Sequence, residues 1–195
     1  MKDREKILRY FAASGDESKD MAMRLLDLAD AVDRGRPFAV GPFMAPFARQ
    51  IGQTIAAHMK TVKSTAFGGY HEAERVRIAF QRVDYDGPVD FFESLLSVTW
   101  DGRYRLIGHR DVLGSLMGLG IDRSVTGDIL MQGAGCQIVV DSAMKDWLMD
   151  NFKKVAMVPV KVEEIPLSDI QPPKQTAKEV RATVASLRLD AVGAA

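Results

Sequence analysis

Two clusters of residues in this chain have types and spacing that can do chemistry. The first is Gly68-Gly69-Tyr70, standing just ahead of Glu74, Arg75 and Arg77. Glycines allow positive φ and close backbone approach, so such a turn can present amides to a phosphate. Tyr70 can stack on a base, and Arg75 and Arg77 can bind phosphate oxygens. A double glycine is first of all a tight turn, however, with Tyr70 packed and Glu74 and Arg75 paired locally. The second cluster is His109-Arg110-Asp111, followed by Arg123, Gly127 and Asp128. His109, Arg110 and Arg123 are the members able to face outward. Asp128 can orient Arg110 or Arg123 through a charge-assisted pair, which we read as structural rather than catalytic.

Several catalytic and metal readings fail on spacing. His-Arg-Asp is not the catalytic loop of a protein kinase, because the required asparagine place after Asp111 holds Leu116 and no Asp-Phe-Gly follows. His58, His71 and His109 have no metal-ligand spacing. The single cysteine, Cys136, excludes a disulfide framework or a cysteine-based zinc cluster and reads as a small core residue. Trp100, Trp147, Phe91 and Phe92 read as core rather than base-stacking platforms. No nucleophile–base pair or paired carboxylates stand in a convincing setting. Neither a metal nor a cofactor is expected.

Charge adds a third signal. The chain has 26 basic and 26 acidic residues, a formal net charge of zero. Within residues 34–82, Arg34, Arg36, Arg49, Lys60, Lys63, Arg75, Arg77 and Arg82 face only Glu72 and Glu74. The flanking segments are acidic. A cationic block between acidic flanks can bind a phosphate backbone. Linear clustering equally describes a solvated surface with its charges on different faces. On the first reading, Arg34, Arg36, Lys60, Lys63, Arg75 and Arg77 share one positive face.

These residues must be held by elements that the pattern predicts. Residues 2–12 read as a helix stopped at Ser14-Gly15. Asp16 opens a longer helix with Met21, Leu25, Leu28, Ala29 and Val32 on one face. Phe38–Val40 reads as a strand, residues 45–62 as a helix with Pro46 in its first turn, and 75–84 as a strand. Beyond that, 94–100 reads as a strand, 109–119 as a helix, and 125–132 and 136–141 as two strands. Residues 142–153 read as a helix capped by Ser142, and 158–165 as a last strand. In the helix over 109–119, Gly114 and Gly118 lie one turn apart, each costing ~1 kcal/mol against alanine. That cost suggests close packing or an approaching partner backbone. Gly120 fits a left-handed cap with Ile121 beyond it. The second half is therefore βαββαβ, the ferredoxin-like order shared with RNA-recognition modules.

The expected class is α+β. An N-terminal α/β module covers 1–88, a ferredoxin-like module 89–167, and a proline-rich linker 168–182. At 195 residues with 47% hydrophobic and 27% charged residues, the chain has globular composition. No apolar run is long enough to span a bilayer, and the N-terminus does not read as a signal or transit peptide. A cytoplasmic protein, monomeric and without a membrane partner, is expected.

Three stretches, GGYHEAER (68–75), HRDVLGSLMGLGIDR with VTGDIL (109–130), and TVASLRLDAV (183–192), together resemble the YlmH-type RNA-binding proteins of bacteria and plastids. Phe43-Met44-Ala45-Pro46-Phe47 fits the early segment of that family. The resemblance implies an N-terminal α/β module, a ferredoxin-like middle module and a C-terminal αL RNA-binding motif. It implies RNA as partner: ribosomal RNA of the large subunit, with tRNA nearby, in ribosome-associated quality control. SLRLDAV is how an αL motif begins, with Arg188 in its first helical turn. The remaining ~50–60 residues of such a small domain are expected to be missing from this chain. The rival readings are an RNA-modifying enzyme and a protein-binding adaptor built on the same modules.

Overall fold

A computed structural model describes residues 2–103 and 106–174. Arg188 and the start of the expected αL motif lie outside the described residues. The chain opens with α1 (Lys2–Ala12) and α2 (Asp16–Asp33), separated by Gly15 at φ 113°. The predicted face of α2 is inward: Leu25, Ala29 and Val32 are buried, with Ala22 and Leu26 beside them. Then come β1 (Phe38–Met44), α3 (Ala48–Met59), β2 (Val62–Phe67) and β3 (Val76–Arg82). The strands form an antiparallel sheet in the order β1-β3-β2, with α2 and α3 packed on it.

Three local expectations change here. β1 runs on to Met44, because its inner residues alternate through Phe43. α3 ends at Met59, where Lys60 turns left-handed at φ 59°. The residues after it form β2, whose Lys63 and Thr65 point to solvent and hide the strand in a hydrophobicity pattern.

The second half contains β4 (Glu93–Thr99), α4 (His109–Gly118), β5 (Thr126–Gln132), β6 (Gly135–Asp141) and α5 (Lys145–Asn151). A short hairpin of β7 (Lys154–Val155) and β8 (Val158–Pro159) precedes β9 (Lys161–Ile165). The sheet order is β5-β6-β4-β9, and all neighbours are antiparallel. Leu96, Val98, Ile129, Cys136, Ile138 and Val140 face Val112 and Leu116 of α4 and Leu148 of α5, so both helices cover one face. α4 ends as expected: Gly120 has φ 79°, and the Ile121 amide donates to the Leu116 carbonyl at 3.1 Å.

Two features of this half differ from the pattern. The helix predicted over 142–153 starts as a 3-10 turn, and its cap is Asp141, which accepts from the Ala143 amide at 3.0 Å. Ser142 instead meets Ser94 hydroxyl to hydroxyl at 2.9 Å. The expected strand 158–165 is broken into β8 and β9.

The other face of this sheet is covered by the N-terminal half. Phe43 of β1 packs between Leu95 and Val139, and Leu130 joins the N-terminal core. The stretch expected to begin a linker is docked there too. Gln137 donates to the Asp169 carbonyl at 3.0 Å and accepts from the Gln171 amide at 2.7 Å.

Candidate nucleic-acid interface

The first chemical cluster lies at this junction and is tied up in it. Asp128 of β5 is buried and accepts three hydrogen bonds: from the Tyr70 hydroxyl at 2.6 Å, the Glu74 amide at 2.8 Å and the Arg75 amide at 2.9 Å. Burial first, and the Asp128 carboxylate second, push the Tyr70 hydroxyl above its ordinary pKa. Asp128 therefore anchors the Gly68–Arg75 loop and does not orient Arg110 or Arg123 as expected. Glu74 does not form the expected local pair with Arg75; its backbone, not its carboxylate, is what the junction uses.

Arg77 is 6% exposed. Its Nε donates to the Gly41 carbonyl at 2.7 Å and its Nη1 to the Phe92 carbonyl at 3.1 Å. Its Nη2 stands 3.2 Å from an Asp141 carboxylate oxygen. The guanidinium also lies 5.3 Å from the centre of the Phe43 ring. Arg77 thus has no surface left for RNA, which corrects its assignment; Tyr70 is 9% exposed at the cleft wall, with its hydroxyl taken by Asp128. Arg77 is saturated because the two sheets close over it.

The glycines serve the same closure. A Cβ on Gly68 would fall on the Arg75 carbonyl oxygen. One on Gly69, at φ 91°, would stand 2.9 Å from Val139, and one on Gly127 would stand 2.9 Å from the Phe43 ring. Gly114 and Gly118 differ: among the described residues nothing lies within 4 Å of a Cβ at either. Internal close packing therefore does not explain them. Asp111 accepts from the Gly108 amide at 3.0 Å, closing the first turn of α4.

The cationic block does not form one face. Arg34, Arg36, Lys60 and Lys63 are exposed, with Arg34 Nε donating to the Asp30 carbonyl at 3.1 Å. They gather where Pro37, Thr61 and Val83 pair, at the Arg82 end of β3. Arg77 lies toward the other end of that strand and Arg75 just before it, about 13 and 20 Å along the chain direction from the Gln81 that pairs with Lys63, at ~3.3 Å per residue. Linear clustering did not survive folding because β3 carries its charges to opposite ends.

His109 and Arg110 are exposed at the start of α4 and make no hydrogen bond or ion pair among the described residues. Arg123 is half-buried. A cleft of about 910 Å³ runs along the free edge of β5. It is lined by His109, Arg123, Arg75, the Tyr70–Glu74 loop and residues 171–174. A second cleft of about 570 Å³ lies on the α2 side and again reaches Arg75 and Arg123. Folding therefore brings together His109, Arg123 and Arg75, and separates them from Arg34, Arg36, Lys60 and Lys63.

The sequence reading missed Phe43, Glu93, Gln137 and Asp141 as junction residues. Gly68 and Gly69 hinted at a close backbone approach, but toward a phosphate rather than toward Arg75 and Val139. Trp147 and Phe92, read as core, are 41% and 46% exposed. Among the described residues, no group of three His, Cys, Asp or Glu side chains could hold a metal ion, and no helix is long and apolar enough to cross a membrane.

Residues 17–85 match a family model described as "YlmH, N-terminal", and residues 88–169 match one described as "Putative RNA-binding domain in YlmH". Over 126 residues the chain is 34% identical to the "Ribosome-associated protein quality control protein P2" of Bacillus subtilis (strain 168). That match covers 64% of this chain and 49% of the relative, so the chain spans about half the length of the curated relative it matches. A solved structure, "Cell division protein ylmH from Streptococcus pneumoniae", superposes with a TM-score of 0.67 at 24% identity. It covers 80% of this chain and 96% of that one, and shows the shared fold.

Proposed function

This chain belongs to the YlmH family, and on that premise we propose that it is a non-enzymatic RNA-binding protein of the ribosome. Its RNA is ribosomal RNA of the large subunit together with tRNA, and its process is ribosome-associated quality control. One observation carries the reading. The segment that matches the RNA-binding domain presents His109 and Arg110 without partners, next to the cleft that Arg123 lines. An unpaired arginine on a surface rim, with a histidine beside it to donate, favours a phosphate backbone. Arg34, Arg36, Lys60 and Lys63 form a second, separate contact region on this reading. The covered sheet face is not the RNA platform, because Phe43, Tyr70 and Arg77 fill it.

A binding role also fits the chemistry of the cleft. Its buried carboxylate, Asp128, is engaged in three hydrogen bonds that hold the Gly68–Arg75 loop, a structural role. Co-sedimentation with purified ribosomal subunits, at low and at high salt, tests the proposal. Binding should be present at low salt, fall steeply as salt rises, and weaken on Arg110→Glu. Salt-resistant association would point instead to an apolar protein contact, and no association at low salt would remove the RNA reading.

A further inference from the structure

We propose that Arg75 and Arg123 form a phosphate-binding site in the larger junction cleft, taking one oxyanion between two guanidiniums. The two side chains converge on Thr126. Arg75 Nε donates to its carbonyl at 3.1 Å, and Arg123 Nη1 approaches its hydroxyl at 3.4 Å. Arg75 Nη2 also donates to the Arg123 carbonyl at 2.7 Å and to the Phe43 carbonyl at 3.2 Å. Main-chain oxygens thus fix the Arg75 guanidinium in one orientation, and its Nη1 takes no part in those bonds. Arg123 has only the long contact to Thr126.

No carboxylate pairs directly with either guanidinium among the described residues: neither is within ion-pair distance of an acid. Asp128 acts on both through its field, but its oxygens are committed to Tyr70, Glu74 and Arg75. Glu72 and Glu74 also line the cleft, as exposed side chains. Burial, followed by the charge of Arg123, holds Arg75 below the ordinary arginine pKa. Asp122 also acts on Arg75 through its field, but it makes no ion pair with either guanidinium among the described residues. Half-buried like charges with no counter-ion in direct contact are unfavourable. An oxyanion between them removes the repulsion and meets the unused N–H groups, and the planar fork of each guanidinium matches phosphate geometry. His109 and Lys174 line the same cleft and add donors. Its volume of about 910 Å³ is in the range that accepts a nucleotide-sized group.

The phosphate can belong to an RNA chain, which rests on the function proposed above, or be free in solution. The test uses the full chain with three variants: Arg123→Gln, Arg123→Lys, and Arg9→Gln on exposed α1 as the control. Thermal midpoints are measured in sodium phosphate and in sodium chloride of equal ionic strength, and affinity for a short single-stranded RNA is measured by anisotropy. Phosphate should raise the midpoint of the wild type and of Arg9→Gln. Arg123→Gln should lose that increment while its midpoint in chloride stays equal or rises, because the repulsion is gone. Arg123→Lys should keep part of the increment, since it keeps charge without the fork. RNA affinity of Arg123→Gln should fall about tenfold, and its salt dependence should flatten by about 0.7 in log–log slope. A phosphate increment retained in Arg123→Gln overturns the site. An increment lost with RNA affinity unchanged supports a site for free phosphate. An increment lost in Arg123→Gln while the wild type binds no RNA keeps the site and rejects the RNA function.

Discussion

Glu93 is the residue whose replacement tests the junction most directly. It opens β4, opposite Asp141 in β6, and Arg77 lies beside both acids. Both Glu93 carboxylate oxygens are buried, and among the described residues none makes a well-formed hydrogen bond to them, with the Gly69 amide the donor that acts on them. Burial pushes its pKa up to about 7; the charge of Arg77 and the nearby Gly69 amide pull it down without offsetting this. The unfolded carboxyl titrates near ~4.3. Between these values the folded chain keeps a proton that the unfolded chain has released. Stability associated with this group is therefore full below pH ~4.3 and falls as pH rises through about 7. At about 1.4 kcal/mol per pH unit of separation, the loss is roughly 3–4 kcal/mol. Glu93→Gln removes the titration. Urea unfolding followed by tryptophan fluorescence, from mildly acidic to mildly alkaline pH, gives the difference between variant and wild type. Groups with depressed pKa values, Asp84, Asp101 and Asp122, titrate on the acid side of this window and cancel in the difference. The variant should gain relative stability steadily as pH rises and level off above neutrality. A difference that stays constant across the range would refute the reasoning.

Gly127→Ala places a methyl 2.9 Å from the Phe43 ring and 3.0 Å from Val139 Cβ, and should destabilise by about 1–3 kcal/mol in urea titration. Asp128→Asn turns an acceptor of three donors into a group that is half donor; a loss of about 2–3 kcal/mol is expected, with chemical-shift changes spread over residues 70–75 in an NMR spectrum. The Cys136 thiol is buried and its pKa is pushed up to about 12, so iodoacetamide should label it only after denaturant is added; labelling at a free-thiol rate in native buffer would contradict its placement.

Local signals reach a definite distance along this chain. The inward face of α2, the βαββαβ order and the cap at Gly120-Ile121 depend on residues within a few positions of each other, and these could be read from the sequence. β2 could not, because Lys63 and Thr65 make its outer face polar and it has no turn signal of its own before Gly68. The β7–β8 hairpin is two residues to a strand, too short to have a period.

The roles of the arginines belong to a different scale. Residue types alone identified Arg75, Arg77 and Arg123 as cations of interest. Which one faces solvent depends on partners far away in sequence: Arg77 on Gly41 and Asp141, Arg75 on Phe43 and Thr126, Tyr70 on Asp128. A charge has no periodicity that reports whether a second sheet will close over it. The sequence alone determined most of the elements and the family, since both rest on short-range patterns. Only the tertiary structure decided that Tyr70 and Arg77 hold two sheets together while His109 and Arg110 stay exposed and Arg123 half-buried, because burial is a property of packed surfaces.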